Sequence, residues 1–462
     1  MDWKTRKFIQ LTFQSHYRAH PEKVSIPEKL NMREFGVESF KYNWTCNRRR
    51  VERRYVLSKH SFVVSEEIGC GEKGSEFLPT LRKCPRCGAS GLQWNNWTRH
   101  LGFGSAQELT QFLVESPPHS IYHSAAFYRA PVARNMDEKG WQGAELVFDI
   151  DADHLNSPCK NVHDKWICKK CGRTGTNEPP DNGCPECGGT TFGTLKWICE
   201  RCLGLAKTNA LRLYDKFLVE DLGIEPTNIR VNYSGHRGYH VRVLDPDVSK
   251  LDSSARIEII HFVTGRGINA RRILGQQERV IVVPRRGTPG WHGKAADALI
   301  SYLTEIDGYQ ESSRWTKILK NQVTRQQTID GLKRDPPILR PVKGIGYGTW
   351  QEILTSAASK WGAEIDEPVT HDLHRVIRLA GSLNGKTGFL VRPVTRDEAD
   401  DFDPLSDSIV FEGKRKIRVR SSVEVPPIRI GDVSYGPYTD EVIEMPLSAA
   451  MFFLCKGVAT VE

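Results

Sequence analysis

The sequence predicts a mixed α/β fold interrupted by cysteine-bearing modules, and three observations carry that reading. Residues 144–153 and 229–244 alternate apolar and polar side chains with the period of a strand. Between and around them, apolar residues recur at helical spacing, as in Ala206, Ala210, Leu213, Tyr214 and Phe217. Eight of the 12 cysteines fall into Cys-x-x-Cys pairs, which belong to compact metal knuckles rather than to strands or helices of a core.

The chain has 462 residues, a length that fits about three units at roughly 150 residues each. At 39% hydrophobic and 26% charged it carries enough apolar side chains to exclude a wholly disordered chain. The excess of 65 Lys+Arg over 56 Asp+Glu gives a net charge of +9, which suits a polyanionic partner without requiring one. No run approaches the roughly 18 apolar residues of a membrane span, and Met1-Asp-Trp-Lys does not open a signal peptide, so a soluble cytoplasmic protein is expected.

In a reducing compartment, paired cysteines hold zinc. The spacing Cys168-x2-Cys171-x12-Cys184-x2-Cys187 is that of a zinc ribbon, with Gly172, Pro185 and Gly188 as turn residues beside the ligands. Cys199 and Cys202 need two further ligands, and Cys159 and His163 stand just upstream of the ribbon, so a second site would enclose the first as an insertion in its own loop. Cys84 and Cys87 would be completed by Cys46 and Cys70, with His60 a competing ligand. Cys455, within Met-Phe-Phe-Leu-Cys, reads as a buried core thiol.

From the start, residues 1–35 read as helical and basic, with Trp3, Phe8, Phe13 and Tyr17 spaced for one face. A burst of Arg48, Arg49, Arg50, Arg53 and Arg54 then precedes the cysteines of a basic module over 40–95, as apt for a solvated face as for a phosphate backbone. Residues 97–128 return to helical spacing. In the strand predicted within 144–153, Leu146, Phe148 and Ile150 point one way and Asp149 and Asp151 the other. Two carboxylates ~7 Å apart on one strand face repel each other unless a cation lies between them, which suits divalent ions handling phosphates. Farther on, two strands flank Ser234-Gly235-His236-Arg237-Gly238, a hairpin tip that with His240 offers backbone amides, a guanidinium and an imidazole to phosphate oxygens. Near the end, Leu373, Val376, Ile377 and Ala380 stripe a predicted helix that leaves Arg375 and Arg378 off its apolar face and runs into a glycine loop carrying Lys386. Asp366, before a Pro-containing turn, has no local reason to be catalytic.

The ordered set Phe-Asp-Ile-Asp, Cys/His/Cys/Cys, Ser-Gly-His-Arg-Gly-Tyr-His and Asp-Glu-Pro-Val-Thr followed by Arg-Leu-x-Gly-Ser-Leu-x-Gly-Lys-Thr-Gly resembles the small catalytic subunit of archaeo-eukaryotic DNA primase in its archaeal form. Arg33-Glu34-Phe35 and Tyr122-His-Ser-Ala-Ala-Phe-Tyr support the match, which spans most of residues 5–395. The resemblance implies the primase catalytic core with inserted zinc-ribbon modules. It implies that Asp149, Asp151 and Asp366 hold two Mg²⁺ or Mn²⁺ ions, that Ser234, Gly235, His236, Arg237 and His240 form a triphosphate-binding loop, and that Arg378, Asn384 and Lys386 face the incoming nucleotide. Cys159, His163, Cys199 and Cys202 match the family's zinc knuckle. Asn384 stands where His is usual and Ala380 where Pro is usual; the inserted ribbon and the long 40–95 module are further departures.

The expected division is a core over 1–39, a cysteine module over 40–95, core again over 96–158, the knuckle with its ribbon over 159–202, core over 203–290, a helical insertion over 291–350, and core completion with a C-terminal segment over 351–462. The implied activity is template-directed synthesis of short RNA or DNA primers on single-stranded DNA from NTPs or dNTPs. The implied partner is an iron–sulfur large subunit. The competing readings are a repair or translesion primase-polymerase and a non-catalytic zinc-ribbon scaffold. Arg334–Lys343 and the stripe Lys414, Lys416, Arg418 and Arg420 are candidate template tracks; residues 395–462 carry no legible motif.

Overall fold

The computed structural model describes residues 1–56, 61–155, 157–176, 178–278, 280–308, 313–413, 415–421 and 423–462, with the side chains of 49–69 outside that description. The expectations for Arg49, Arg50, Arg53, Arg54, His60 and Lys414 therefore lie outside the described residues.

Two antiparallel sheets position the site. In the first, the strands run in the order Pro393–Val394, Ile229–Tyr233, Gly238–Val243, Leu146–Asp151. Leu146, Phe148, Ile150, Val241 and Val243 are at most 1% exposed, so one face of this sheet is core, while the other carries Asp149, Asp151, His240 and Arg242 beside a small apolar cluster at Val147. The register sets Asp149 opposite His240 and Asp151 opposite Gly238. In the second sheet, Ser120–Ser124 lies between Val376–Arg378 and the long strand Phe35–Thr45, which also pairs with Lys73–Glu76 and Gln93–Leu101. Phe35–Thr45 passes through residue 40 without a break, so the cysteine module grows from the end of a core strand.

Helices cover the apolar faces. Trp3–Ala19 is capped by Asp2, whose side chain accepts from the Thr5 amide, and buries Ile9, Phe13 and Tyr17 while Trp3 stays exposed. The helix Glu200–Arg212 continues as a π-helical turn over Leu213–Val219, and Gly223 follows at φ +63°. Helices Trp291–Glu305 and Tyr347–Trp361 pack on one another, with Trp291 and Trp361 in edge contact.

Two local expectations are corrected. Residues 97–128 hold only one helix, Ala106–Glu115, between strands Gln93–Leu101 and Ser120–Ser124. The segment expected to be a helix through Leu373 and Ala380 is instead the short helix Glu367–His371, ended by Asp372, whose carboxylate accepts from the His374 amide, and then the strand Val376–Arg378. The β-branched pair Val376 and Ile377 fits the pleat, and pairing with Ser120–Ser124 outweighs the helical stripe.

Candidate active site

Asp149 and Asp151 project from the polar face of the first sheet, and a backbone bond brings in the third acid: the Asp366 amide donates to the Asp149 carbonyl at 2.8 Å. The sequence separation of more than 200 residues thus closes at one peptide group. Burial, and then the charges of Asp151 and Asp366, push the Asp149 carboxyl up to about 7. Asp151 is held by the Asp153 amide, 2.9 Å from its Oδ1. His154 lies 3.8 Å from Asp366, and His240 3.7 Å from Asp149. Crowded carboxylates that resist joint ionisation are chemically suited to divalent cations, whose charge removes the conflict.

The hairpin tip lies alongside. The Ser234 hydroxyl accepts from the amides of His236 and Gly238 at 3.4 and 3.3 Å, and Gly235 sits at φ +74° with Asn384 so close that a Cβ would lie 2.8 Å from it. Asn384 is fully buried: its Nδ2 donates to the Ser234 carbonyl at 2.8 Å and its Oδ1 accepts from the Lys386 amide at 2.9 Å. It therefore staples the Lys386 loop to the hairpin, helped by Thr387, which donates to the Gly235 carbonyl. Arg378 lies over the Tyr122 ring at 4.9 Å. Lys386 is driven below the usual lysine range by burial and by Arg378, with Glu38 and Asp151 acting against that shift.

Arg237 is placed differently from the other hairpin residues. It is 1% exposed, and its Nη1 donates to both Asp164 oxygens at 2.9 and 2.8 Å and to the Trp197 carbonyl at 3.0 Å. Its other end pairs with Asp153, and its Nε lies 4.0 Å from Asp151. Asp164 in turn accepts from the Trp197 amide and lies 2.8 Å from His163 Nδ1. A continuous chain of polar contacts so connects the cysteine knuckle to the aspartate strand.

The ribbon and the knuckle assemble as their spacing predicts, Cys46, Cys70, Cys84 and Cys87 also come together, and each group brings its four ligand atoms within 4.8 Å of one another. In the ribbon, Cys168–Cys187 and Cys171–Cys184 are both 3.6 Å, and at 46/70/84/87 the Cys46–Cys87 and Cys70–Cys84 pairs are 3.6 and 3.8 Å. A tetrahedral ion with Zn–S of ~2.3 Å sets its sulfurs ~3.8 Å apart, so these spacings fit zinc. Cys159, His163, Cys199 and Cys202 converge on Cys202, 3.1 Å from Cys159 and 3.2 Å from His163 Nε2. The Asp164 carboxylate on His163 Nδ1 fixes the orientation of the imidazole and directs its Nε2 toward the three sulfurs.

Several residues at the site had no sequence signal. Lys196 pairs with Asp153, and Lys456 enters from the unread C-terminal segment to 2.8 Å from His236 Nε2. Asp153 and Asp164 each follow a recognised motif by a residue or two, which is the only hint the sequence offers.

A carboxylate face set against a cationic, amide-lined hairpin has the chemistry that suits phosphates and divalent ions. The sequence model of the DNA primase small subunit matches residues 189–396. The DNA primase small subunit PriS of Methanococcoides burtonii is 28% identical over 99% of both chains. That of Methanocella arvoryzae is 31% identical over 79% of this chain and 88% of its own, and that of Cenarchaeum symbiosum 31% over 78% and 87%. The polymerase domain of Mycobacterium tuberculosis ligase D in complex with DNA aligns over 86% of this chain and 83% of its own at 10% identity, with a TM-score of 0.25. The chain belongs to the DNA primase small subunit family. Among the described residues no helix is long and apolar enough to cross a membrane.

Proposed function

We propose that this chain is the catalytic subunit of a DNA primase, building short primers on single-stranded DNA from nucleoside triphosphates. The observation that carries the reading is the meeting of Asp149, Asp151 and Asp366 at one end of the aspartate strand, beside the Ser234–Gly238 hairpin. In this reading the trio holds two divalent ions, Mg²⁺ or Mn²⁺, which supply activation of the primer 3′-hydroxyl and charge neutralisation on the leaving pyrophosphate. Asp149 and Asp366, linked through backbone, keep two of the three carboxylates in fixed relation. The amides around Ser234 and the side chains of Arg378 and Lys386 bind and orient the polyphosphate. Asn384 contributes by fixing the loop that carries Lys386, and Arg237 by holding the hairpin against the strand.

The cysteine groups hold structural zinc: the knuckle through Cys159, His163, Cys199 and Cys202, the ribbon through Cys168, Cys171, Cys184 and Cys187, and a third site through Cys46, Cys70, Cys84 and Cys87. The partners in this reading are the DNA template and a primase large subunit carrying an iron–sulfur cluster. Arg334, Arg340 and Lys343 line one surface cleft, and Lys416, Arg418 and Arg420 share the exposed face of a strand, which places two cationic tracks on the surface.

The test is synthesis on unprimed single-stranded DNA with Mn²⁺ or Mg²⁺, with the large subunit present. The wild type should make product and Asp149→Ala/Asp151→Ala none. Extension of a pre-annealed primer without de novo synthesis would replace this reading with an end-extending polymerase, and silence on both templates with a binding scaffold.

A further inference from the structure

The C-terminal segment folds into a three-stranded sheet, ordered Val442–Pro446, Lys416–Ser421, Ala459–Val461, with the helix Leu447–Cys455 against it. That helix is built for rigidity. Ala449 to Cys455 are all buried, Phe452 packs edge-on to Trp197 at 5.4 Å and stacks on Phe389 at 5.5 Å, and Phe453 lies 6.1 Å from Trp197. Trp197 belongs to the knuckle and Phe389 to the loop that carries Lys386. The helix is therefore wedged between the two elements that frame the hairpin, and the residue that ends it, Lys456, has little freedom in where it points.

Lys456 points at the hairpin tip. Its Nζ lies 2.8 Å from His236 Nε2 and donates to the Lys196 carbonyl at 2.6 Å. An ammonium has three donors, and these two contacts leave one for a ligand. Cationic groups dominate the surroundings: burial, and then Lys456, Lys386, Arg378 and Lys196, depress the His236 imidazole well below its ordinary range, while burial, Arg237 and Lys386 depress Lys456 itself against the opposing pull of Asp164 and Asp151. Gathering basic groups out of water around a loop of amide donors is unfavourable unless an anion is the intended occupant.

We propose that Lys456 is a phosphate-binding residue of the nucleotide site, its ammonium closing with Lys386 on the polyphosphate of the incoming nucleoside triphosphate. The inference rests on the reading of the hairpin as the nucleotide site and adds to it a contact from a segment outside every recognised motif. It also gives the C-terminal segment a role, as the rigid arm that completes the pocket.

The test compares wild type with Lys456→Met, which keeps the apolar stem, and Lys456→Gln, which keeps a donor for the Lys196 carbonyl. Binding of ATP, AMP and inorganic tripolyphosphate to the full chain is measured by calorimetry with Mg²⁺ present, beside thermal melts. Loss of one charge-assisted hydrogen bond should weaken ATP and tripolyphosphate on the order of 10- to 100-fold, with AMP changed less than about twofold and KM for nucleotide rising in step. A purely structural lysine would lower the melting temperature and weaken ATP and AMP alike; that outcome, or wild-type affinity for tripolyphosphate in a folded variant, overturns the proposal. Lys386→Met separates the two levels of inference. If it weakens ATP while the Lys456 variants do not, only the Lys456 contact fails; if none of the three matters, the nucleotide site itself lies elsewhere.

Discussion

Replacing Asp164 by Asn tests whether the cysteine knuckle supports the acidic site through Arg237. Asp164 receives Arg237 Nη1 at 2.9 and 2.8 Å and the Trp197 amide at 2.8 Å, and it contacts His163 Nδ1 at 2.8 Å. Asparagine keeps one acceptor and turns an NH₂ toward a guanidinium that is 1% exposed. Removing one partner of a fully buried pair costs about 3–5 kcal/mol. Here Asp153 still opposes Arg237, and the Asp164 side chain is itself 26% exposed, which brings the expected loss down to roughly 2–3 kcal/mol. The second consequence is at the metal: loss of the carboxylate behind a ligating imidazole weakens zinc on the order of 10- to 100-fold. Urea unfolding reads the first effect, and zinc transfer to a chromogenic chelator reads the second. Stability within about 0.5 kcal/mol of wild type, together with unchanged zinc retention, would refute the strut and leave Arg237 free for phosphate.

Four further outcomes follow from the same geometry. Asp149→Asn should abolish synthesis yet stabilise the metal-free chain above pH 7 by roughly 2–4 kcal/mol in urea melts, because it removes a charge that the folded site resists; a destabilised variant would contradict the crowding. Divalent-ion affinity, measured by Mn²⁺ titration, should fall about tenfold per pH unit below about 7, since one bound proton must leave Asp149. Gly381→Ala should unfold the chain by several kcal/mol, because its Cβ would meet the Lys23 carbonyl at 2.0 Å with φ at +76°, and near-wild-type urea stability would refute this contact. Cys184→Ser should lose one zinc per chain by mass spectrometry under native conditions, with the core melt little changed, since the ribbon's cysteines and Trp166 form a cluster of their own.

The legible parts of the protein were those in which local pattern and tertiary role coincide. The segment 144–153 declared both faces of its strand, and the ribbon and the knuckle declared their ligands by spacing, whereas the less regular spacing of Cys46, Cys70, Cys84 and Cys87 left His60 as a competing ligand. Asp366 was different: only its amide bond to the Asp149 carbonyl puts it at the site, and only resemblance to a family could point to it beforehand. The helical stripe around Val376 misled because periodicity cannot see that Ser120–Ser124 offers an open edge. Arg237 and Asn384 sit in recognised motifs, yet Arg237 Nη1 and both polar atoms of the Asn384 side chain are taken by neighbours, a matter of packing that no motif records. Lys456 was invisible because its meaning comes wholly from where a nine-residue apolar helix is wedged.

The aspartate strand also explains how the fold tolerates such a site. Glu145, one residue before it, is fully buried, yet its carboxyl is held down to about 2: desolvation opposes the shift, and Arg242 and Arg33 more than offset it. Arg242 grips it in a fork at 2.8 and 2.7 Å, and Arg33 also bonds the carbonyls of Glu28 and Ser124 at 2.7 Å. Four residues on, the Asp149 carboxyl is pushed in the opposite direction, up to about 7. The strand is thus clamped to the second sheet at its start, where Glu145 is paired with Arg242 and Arg33, and carries crowded, mutually repelling carboxylates toward its end. The sign for Glu145 follows from its depressed value: its stabilisation is complete above the unfolded range near 4.5 and is lost as pH falls toward 2. Arg33→Met should therefore destabilise the chain at pH 7 by about 3–5 kcal/mol and flatten its acid-unfolding profile below pH 4.5. An unchanged acid profile in that variant would mean that the clamp does not hold the strand, and that the acidic site is supported from the knuckle side alone.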